Sequence, residues 1–287
     1  MEIWQAIVLG IVQGLTEFLP ISSSGHLIIF PWLLEWESAG LAFDAAIHLG
    51  TLTAVVVYFR AEIVRMIAAI PHALSNPLEL LLRPTELGHA QDADARLGLL
   101  IVIATLPGLV LGILFEGTID EFFHTDENSD RAIATIATML IVVGLVLYLA
   151  ERISKRGKTI GRMVWLDAVI VGFAQALALI PGTSRSGATI TAGLFRGLSR
   201  ADAARFSFLA GMPLILGAGL KSVLDAAGEG MSGHEVALFI AGGVSAAIVG
   251  FITIWGLLRF LERRSTLVFV VYRILFGIGL LVLLAFR

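Results

Sequence analysis

The residues able to do chemistry in this chain gather in two polar stretches set in apolar sequence. One runs Gln13-Gly14-Leu15-Thr16-Glu17-Phe18-Leu19-Pro20-Ile21-Ser22-Ser23-Ser24-Gly25-His26. The other runs Gln175-Ala176-Leu177-Ala178-Leu179-Ile180-Pro181-Gly182-Thr183-Ser184-Arg185-Ser186-Gly187-Ala188-Thr189. The second has the makings of an oxyanion pocket. The guanidinium of Arg185 can take a phosphate through paired hydrogen bonds. Ser184, Ser186 and Thr189 add hydroxyl donors, and Gly182 and Gly187 permit close backbone approach. A helix restarting after Pro181 would turn its free amides towards an anion. The bland alternative is a polar hairpin tip whose hydroxyls cap its own backbone.

The first stretch offers different chemistry. Ser23 and His26, three residues apart, fall near one face of a helix restarting there. Such a pair can make a nucleophile and its base, or the imidazole can protonate a leaving group. Glu17 can bind a hard cation through oxygen or act as a base. Gln13, one turn earlier, can orient Glu17 or serve as a neutral metal ligand. Ser22 and Ser24 are further candidates for substrate contact, with helix capping as the plainer role. For Arg185 the plainer role is a salt bridge to Glu17, which is compatible with both lining a site. Together the two stretches combine an anion clamp with an acid, a base and a hydroxyl. That set suits hydrolysis of a phosphate ester or anhydride, where positioning and charge stabilisation do most of the work.

The elements that must position these residues are membrane elements. Mean hydropathy is +0.90. Hydrophobic residues make up 57% of the chain and charged residues only 15%, where a soluble domain carries about a quarter. Continuous apolar runs long enough to cross a bilayer predict an all-α polytopic protein and argue against a β-barrel. A site buried in a membrane suits a lipid phosphate. There is no cysteine, which excludes disulfides and thiol catalysis, and no basic run points to nucleic acid. The first 30 residues lack the basic start of a cleaved signal peptide.

Six spans are predicted, at about 41–59, 97–115, 132–150, 204–221, 236–258 and 267–286. Lys and Arg concentrate in 60–96, 151–162, 196–205 and 259–266 and are scarce in 116–131 and 222–235. The positive-inside rule puts the first four segments in the cytoplasm and the other two outside. Segment 163–196 then has both ends in the cytoplasm, and segment 3–36 ends outside. Both are read as re-entrant hairpins entering from opposite faces with tips at Pro181 and Pro20; lying in the interface or spanning twice are the competing arrangements. Irregular backbone at that depth requires burial in protein or a wet cavity. The expected architecture is an inverted repeat in one integral membrane domain, 1–287. Residues 1–150 and 151–287 each hold a hairpin and three spans. Phe43-Asp44-Ala45-Ala46 and Ala201-Asp202-Ala203-Ala204, each opening the span after a hairpin, support the repeat.

Other polar residues read more blandly. Asp44, Asp167 and Asp202 sit where a negative charge complements a helix N-terminus. His48 is one turn from Asp44 and is expected to bond to it. Arg273, inside the last span, is expected to pair within the bundle.

The two stretches resemble the signatures of the bacterial undecaprenyl-pyrophosphate phosphatase family, BacA/UppP. Gln13 to His26 resembles its (Glu/Gln)xxxGlu motif with the following Ser–Gly–His, and Pro181 to Thr189 resembles its PGxSRSxxT motif. The likeness extends through Ser199–Phe208 and Tyr272-Arg273 and covers essentially the whole chain. It implies a bacterial inner-membrane enzyme with its site towards the periplasm. That enzyme would remove the terminal phosphate of undecaprenyl diphosphate, recycle the lipid carrier for peptidoglycan synthesis, and confer bacitracin resistance when overproduced. It also implies a divalent cation, Mg2+ or Ca2+, held near Glu17 and Gln13; since position 13 is Gln rather than Glu, metal binding would rest more on Glu17 and the diphosphate. The family's essential positions fall on Glu17, Ser23, His26 and Arg185, supported by Gln13, Ser184, Ser186 and Thr189. On this reading Arg185 with the second-hairpin hydroxyls holds the diphosphate. Ser23, activated by His26 or Glu17, attacks the phosphorus or positions a water that does. The bilayer and the polyprenyl diphosphate are the expected partners, with room for a homodimer and none for nucleic acid. The rival class is a transporter of the lipid phosphate, which needs the clamp but no nucleophile; a membrane scaffold would leave Glu17 and Arg185 unexplained.

Overall fold

The computed structural model describes residues 1–36, 40–82, 90–124 and 129–286. Parts of the loops read at 60–96 and 116–131, as well as position 287, lie outside these residues. Among the described residues the regular structure is helical, apart from one bridge between Lys158 and Leu198. The first half contains α1 (Ile3–Thr16), α2 (Ser23–Leu34), α3 (Gly40–Tyr58), the short α4 (Arg60–Ala68), α5 (Ile70–Ser75) and α6 (Pro77–Leu82), then α7 (Ala90–His124) and α8 (Ser129–Ile153). The second contains α9 (Trp165–Leu177), α10 (Arg185–Phe195), α11 (Arg200–Glu229), α12 (Gly233–Arg263) and α13 (Leu267–Ala285).

Among the described residues five helices are long and apolar enough to cross a membrane: α7, α8, α11, α12 and α13. The sixth span is α3, after which the chain bends by 78° into α4. The chain is therefore a multi-pass membrane protein, with spans where the apolar runs predict them. The hairpin helices α1, α2, α9 and α10 are too short to cross. With 14 residues in α1, a rise of about 1.5 Å per residue gives roughly 21 Å, short of a hydrocarbon core of about 30 Å. α2, α9 and α10 are shorter still. Each pair, α1 with α2 and α9 with α10, packs together as a hairpin.

Helix packing follows an exchange between the halves. α1 packs on α12, and its counterpart α9 packs on α7. α3 packs on α12 as α11 packs on α7, while α3 meets α11 and α8 meets α13. For these helices, substituting each for its counterpart leaves the contacts unchanged, as expected of an inverted repeat, whereas the backbone of α10 also packs on α8 and α11 more closely than that of α2 does on α13 and α3. Gly10 and Gly172 show the exchange at atomic scale. A Cβ on Gly10 would fall 2.3 Å from the Gly242 carbonyl oxygen of α12, and one on Gly172 2.8 Å from the Ala104 carbonyl oxygen of α7. Each first hairpin helix thus lies against the backbone of the other half, at a position with no side chain to hold it away.

The open ends of the hairpins are fastened differently. Trp4 and Trp36 close the first, edge to face with ring centroids 5.2 Å apart. In the second, Asp167 in the first turn of α9 accepts from Arg196 just past α10 at 2.7 Å and also pairs with Lys158. Asp167 additionally accepts the Val164 amide at 2.7 Å, the helix N-terminal role expected of it.

Candidate active site at the meeting of two hairpins

The two tips are built alike. Ser22 and Ser184 both hold positive φ, 79° and 71°, in a region costly for a side-chain-bearing residue. Each places its hydroxyl to accept an amide three residues on. Ser22 Oγ accepts from Gly25 at 3.3 Å and Ser184 Oγ from Gly187 at 3.0 Å. These caps satisfy the amides that a restarting helix leaves free. Ser22 Oγ also accepts the Gly182 amide at 3.1 Å, joining the tips directly. Gly182 has φ +92°, and a Cβ there would meet the Ile136 carbonyl oxygen at 2.5 Å.

A second tie comes from Arg273 of α13, which is fully buried. Its guanidinium donates to the carbonyls of Pro20 at 3.0 Å and of Gly182 and Thr183, both at 3.0 Å. It also donates to the carbonyls of Leu140 and Met139 on α8, at 3.0 and 3.2 Å. The partners of this expected intrabundle pairing are thus backbone oxygens of both tips rather than a carboxylate.

The residues after the two capping serines, Ser23 and Arg185, both reach Glu17, Ser23 within its own hairpin and Arg185 across from the other. Ser23 Oγ donates to Glu17 Oε2 at 2.5 Å, and Arg185 Nη2 donates to Glu17 Oε1 at 2.9 Å. Gln13 Nε2 donates to Glu17 Oε2 at 3.1 Å from below. Glu17 is only 5% exposed, so its charge is compensated by the guanidinium and these donors. Arg185 is steadied through Nη1 by the Ser207 carbonyl, 3.3 Å away. Its guanidinium lies against the α11 backbone, where a Cβ on Gly211 would fall 1.2 Å from Nη1. Glu17, Ser23, Ser24 and Arg185 open on one cavity of about 370 Å³. Leu27, Ile28, Leu179, Leu214 and Ile215 supply apolar wall.

Other predicted site residues hold the tips rather than face the cavity. Ser184 and Ser186 hydroxyls lie 3.2 Å apart, and Ser186 donates to the Leu19 carbonyl at 3.0 Å. Thr189 donates to the Arg185 carbonyl at 2.7 Å and lies 2.6 Å from the Ser207 hydroxyl. None of these three residues, nor Ser22, is among those that line the cavity. His26 is likewise not beside Ser23. Its Nδ1 is 2.6 Å from the Ser22 carbonyl and its Nε2 2.6 Å from the Tyr272 hydroxyl, with the Phe276 ring stacked at 5.0 Å. The group against Ser23 is Glu17.

Two cavity residues were read too blandly from sequence. His48 Nδ1 donates to the Asp44 backbone carbonyl at 2.6 Å, the expected bond between the two residues. Its Nε2 stands 3.7 Å from Glu17 Oε2, and both His48 and Asp44 line the cavity. The available signal was their place in the first turns of the span following the first hairpin. The donor set does not form a ready-made cage for a divalent cation. Both Glu17 oxygens are engaged, Gln13 turns its amide nitrogen to Glu17, and among the described residues no three His, Cys, Asp or Glu stand together as ligands.

These features define a polytopic helical membrane protein of inverted-repeat design, with a polar cavity where two re-entrant hairpins meet. More particularly, the chain belongs to the BacA family: the profile described as bacitracin resistance protein BacA matches residues 6–279. The chain is similar to an undecaprenyl-diphosphatase of Thermomicrobium roseum, 49% identical over 286 residues that cover 100% of this chain and 99% of the relative. It is also similar to proteins of the same name from Synechococcus sp. (46% identical, covering 100% and 96%) and Moorella thermoacetica (45%, covering 96% and 95%).

Proposed function

We propose that this protein is an undecaprenyl-diphosphate phosphatase. It hydrolyses the terminal phosphoric anhydride bond to give undecaprenyl phosphate and inorganic phosphate, recycling the lipid carrier for peptidoglycan synthesis and conferring bacitracin resistance. The observation that carries the reading is the meeting of Ser23, Glu17 and Arg185 across the two hairpins. The printed names of full-length relatives support it.

In the reaction, Arg185 moves its planar fork from Glu17 to the terminal phosphate and stabilises the charge that spreads over its oxygens. Ser23 Oγ attacks phosphorus as its proton passes to Glu17 Oε2, and the bond from phosphorus to the bridging oxygen breaks, releasing undecaprenyl phosphate. Water then attacks the phosphoserine; its oxygen goes to phosphate, and Ser23 Oγ recovers a proton from Glu17. Ser24 is placed to contact the departing group. Gln13 holds the Glu17 carboxylate in line, and Ser22, Ser184, Ser186, Thr189 and His26 keep the tips in register. A transporter would need the clamp but not a serine hydrogen-bonded to a buried carboxylate.

The proposed setting is the bacterial cytoplasmic membrane, with the cavity open to the periplasmic side and residues 1–150 and 151–287 as the repeats. In support, the cavity wall runs along α11 as far as Ser222, next to loop 222–235, which lacks Lys and Arg. The test is phosphate release from undecaprenyl diphosphate by purified protein in detergent. Release by wild type and its loss in Arg185→Ala are expected; no release by folded wild type would reject the enzyme.

A further inference from the structure

We infer that Arg185 fills the cation place on Glu17 in the resting protein, and that the divalent ion enters only with the diphosphate, as its companion. This inference rests on the phosphatase reading above.

Glu17 is the carboxylate at the centre of the cavity, and it is already saturated. Arg185 takes Oε1 at 2.9 Å, while Ser23 and the Gln13 amide take Oε2 at 2.5 and 3.1 Å. Three donors nearly exhaust the lone-pair sites of one carboxylate. Gln13 is wholly buried, and its unpartnered Oε1 is shut off from the cavity. The nearest remaining candidate, His48 Nε2 at 3.7 Å, is a nitrogen, whereas Mg2+ and Ca2+ take oxygen ligands. A dication at Glu17 would also sit beside the guanidinium and be repelled by it.

The diphosphate removes each obstacle. Its oxygens attract the guanidinium bidentately, which frees Glu17 Oε1. They also supply several hard oxygen ligands, the way Mg2+ is ordinarily held in sites with few protein carboxylates. Glu17 then adds protein oxygen to an ion the substrate already carries. Arg185 and the ion are exchanged on one carboxylate, and the charge of the cavity stays nearly balanced throughout.

Mn2+ bound to the purified full chain in detergent, read by its paramagnetic resonance, tests this. Samples would be wild type, Arg185→Gln and Glu17→Gln, with and without a non-hydrolysable prenyl methylene-bisphosphonate. Ligand-free wild type should hold no Mn2+ at concentrations where the bisphosphonate complex holds one ion per chain. Ligand-free Arg185→Gln should bind Mn2+ at least roughly tenfold more tightly than wild type, because a repelling charge has gone. One ion bound to ligand-free wild type and lost in Glu17→Gln would overturn the inference, as would equal Mn2+ affinity in Arg185→Gln and wild type. The comparison of wild type with and without bisphosphonate stands even if a variant fails to fold. Phosphate release from the same wild-type preparation separates the two readings. Release together with a resident ion sinks the inference alone; no release sinks the phosphatase reading.

Discussion

Ser23 and Arg185 occupy the same place in their hairpins, each opening the second helix just after a capping serine at positive φ. Counted from Gln13 and Gln175, Ser22 matches Ser184, Ser24 matches Ser186 and Gly25 matches Gly187. The backbone frame is therefore shared, down to the cap hydrogen bond and the glycine seated on the opposite half. The chemistry is not shared. The position of Glu17 is Leu179 in the second hairpin, and that of His26 is Ala188. One tip carries a serine hydrogen-bonded to a carboxylate, and the other a guanidinium, the nearest acid of its own hairpin being Asp167 at the open end. A repeated frame thus delivers two side chains to one carboxylate, and divergence at single positions makes them complementary. The fastenings diverge as well. An aromatic pair suits the first hairpin, whose ends carry few charges, and an ion pair suits the second, whose ends lie beside the basic segments 151–162 and 196–205.

The strongest way to break this comparison is to exchange the two residues. Ser23→Arg with Arg185→Ser should be inactive, because Leu179 cannot serve as a base; activity above about 1% of wild type would mean the halves are interchangeable. Among single changes, Arg185→Ala should lower phosphate release by roughly 10³-fold or more. Arg185→Lys should recover little of it, since a point charge lacks the planar fork. Ser23→Ala should lose a similar factor, about 10³-fold, yet still bind the lipid diphosphate; retained turnover would remove the nucleophile from the scheme. At the level of stability, Arg273→Met should cost about 3 kcal/mol by stranding buried carbonyls of both tips, visible as a lower unfolding temperature in detergent. The smallest effects sharpen the likeness of the caps. Ser184→Ala should cost about 1 kcal/mol, and Ser22→Ala more, about 2 kcal/mol, because it also loses the Gly182 amide; a reversed order would show that Ser22 does not join the tips.

Much of this plan was legible in the chain. The apolar runs placed the spans, and the matched polar stretches located both hairpins. The pairing of Glu17 with Arg185 followed from the cost of leaving either ionised alone in apolar surroundings. What was not legible depended on direction rather than spacing. Ser23 and His26 share a helical face by count, but Ser22 turns the chain at positive φ just before them. His26 then finds the Ser22 carbonyl and the hydroxyl of Tyr272, a residue on the last helix. Ser184, Ser186 and Thr189 had too many backbone partners within reach for their hydroxyls to stay free. His48 and Asp44 reach the cavity only because α3 packs on α11, a contact between halves that no local pattern announces.

Arg273 also bears on how the protein is made. Spans enter the membrane in chain order, and the first hairpin is synthesised long before the last helix. Until α13 arrives, the carbonyls of Pro20, Gly182 and Thr183 have no guanidinium to gather them. The site is therefore completed at the end of biogenesis, when the final helix docks on α8 and locks tips that had been waiting in the bilayer. A chain stopped before residue 267 would be expected to insert its earlier spans and yet lack a formed centre, so correct insertion and competence are separate events in the life of this protein.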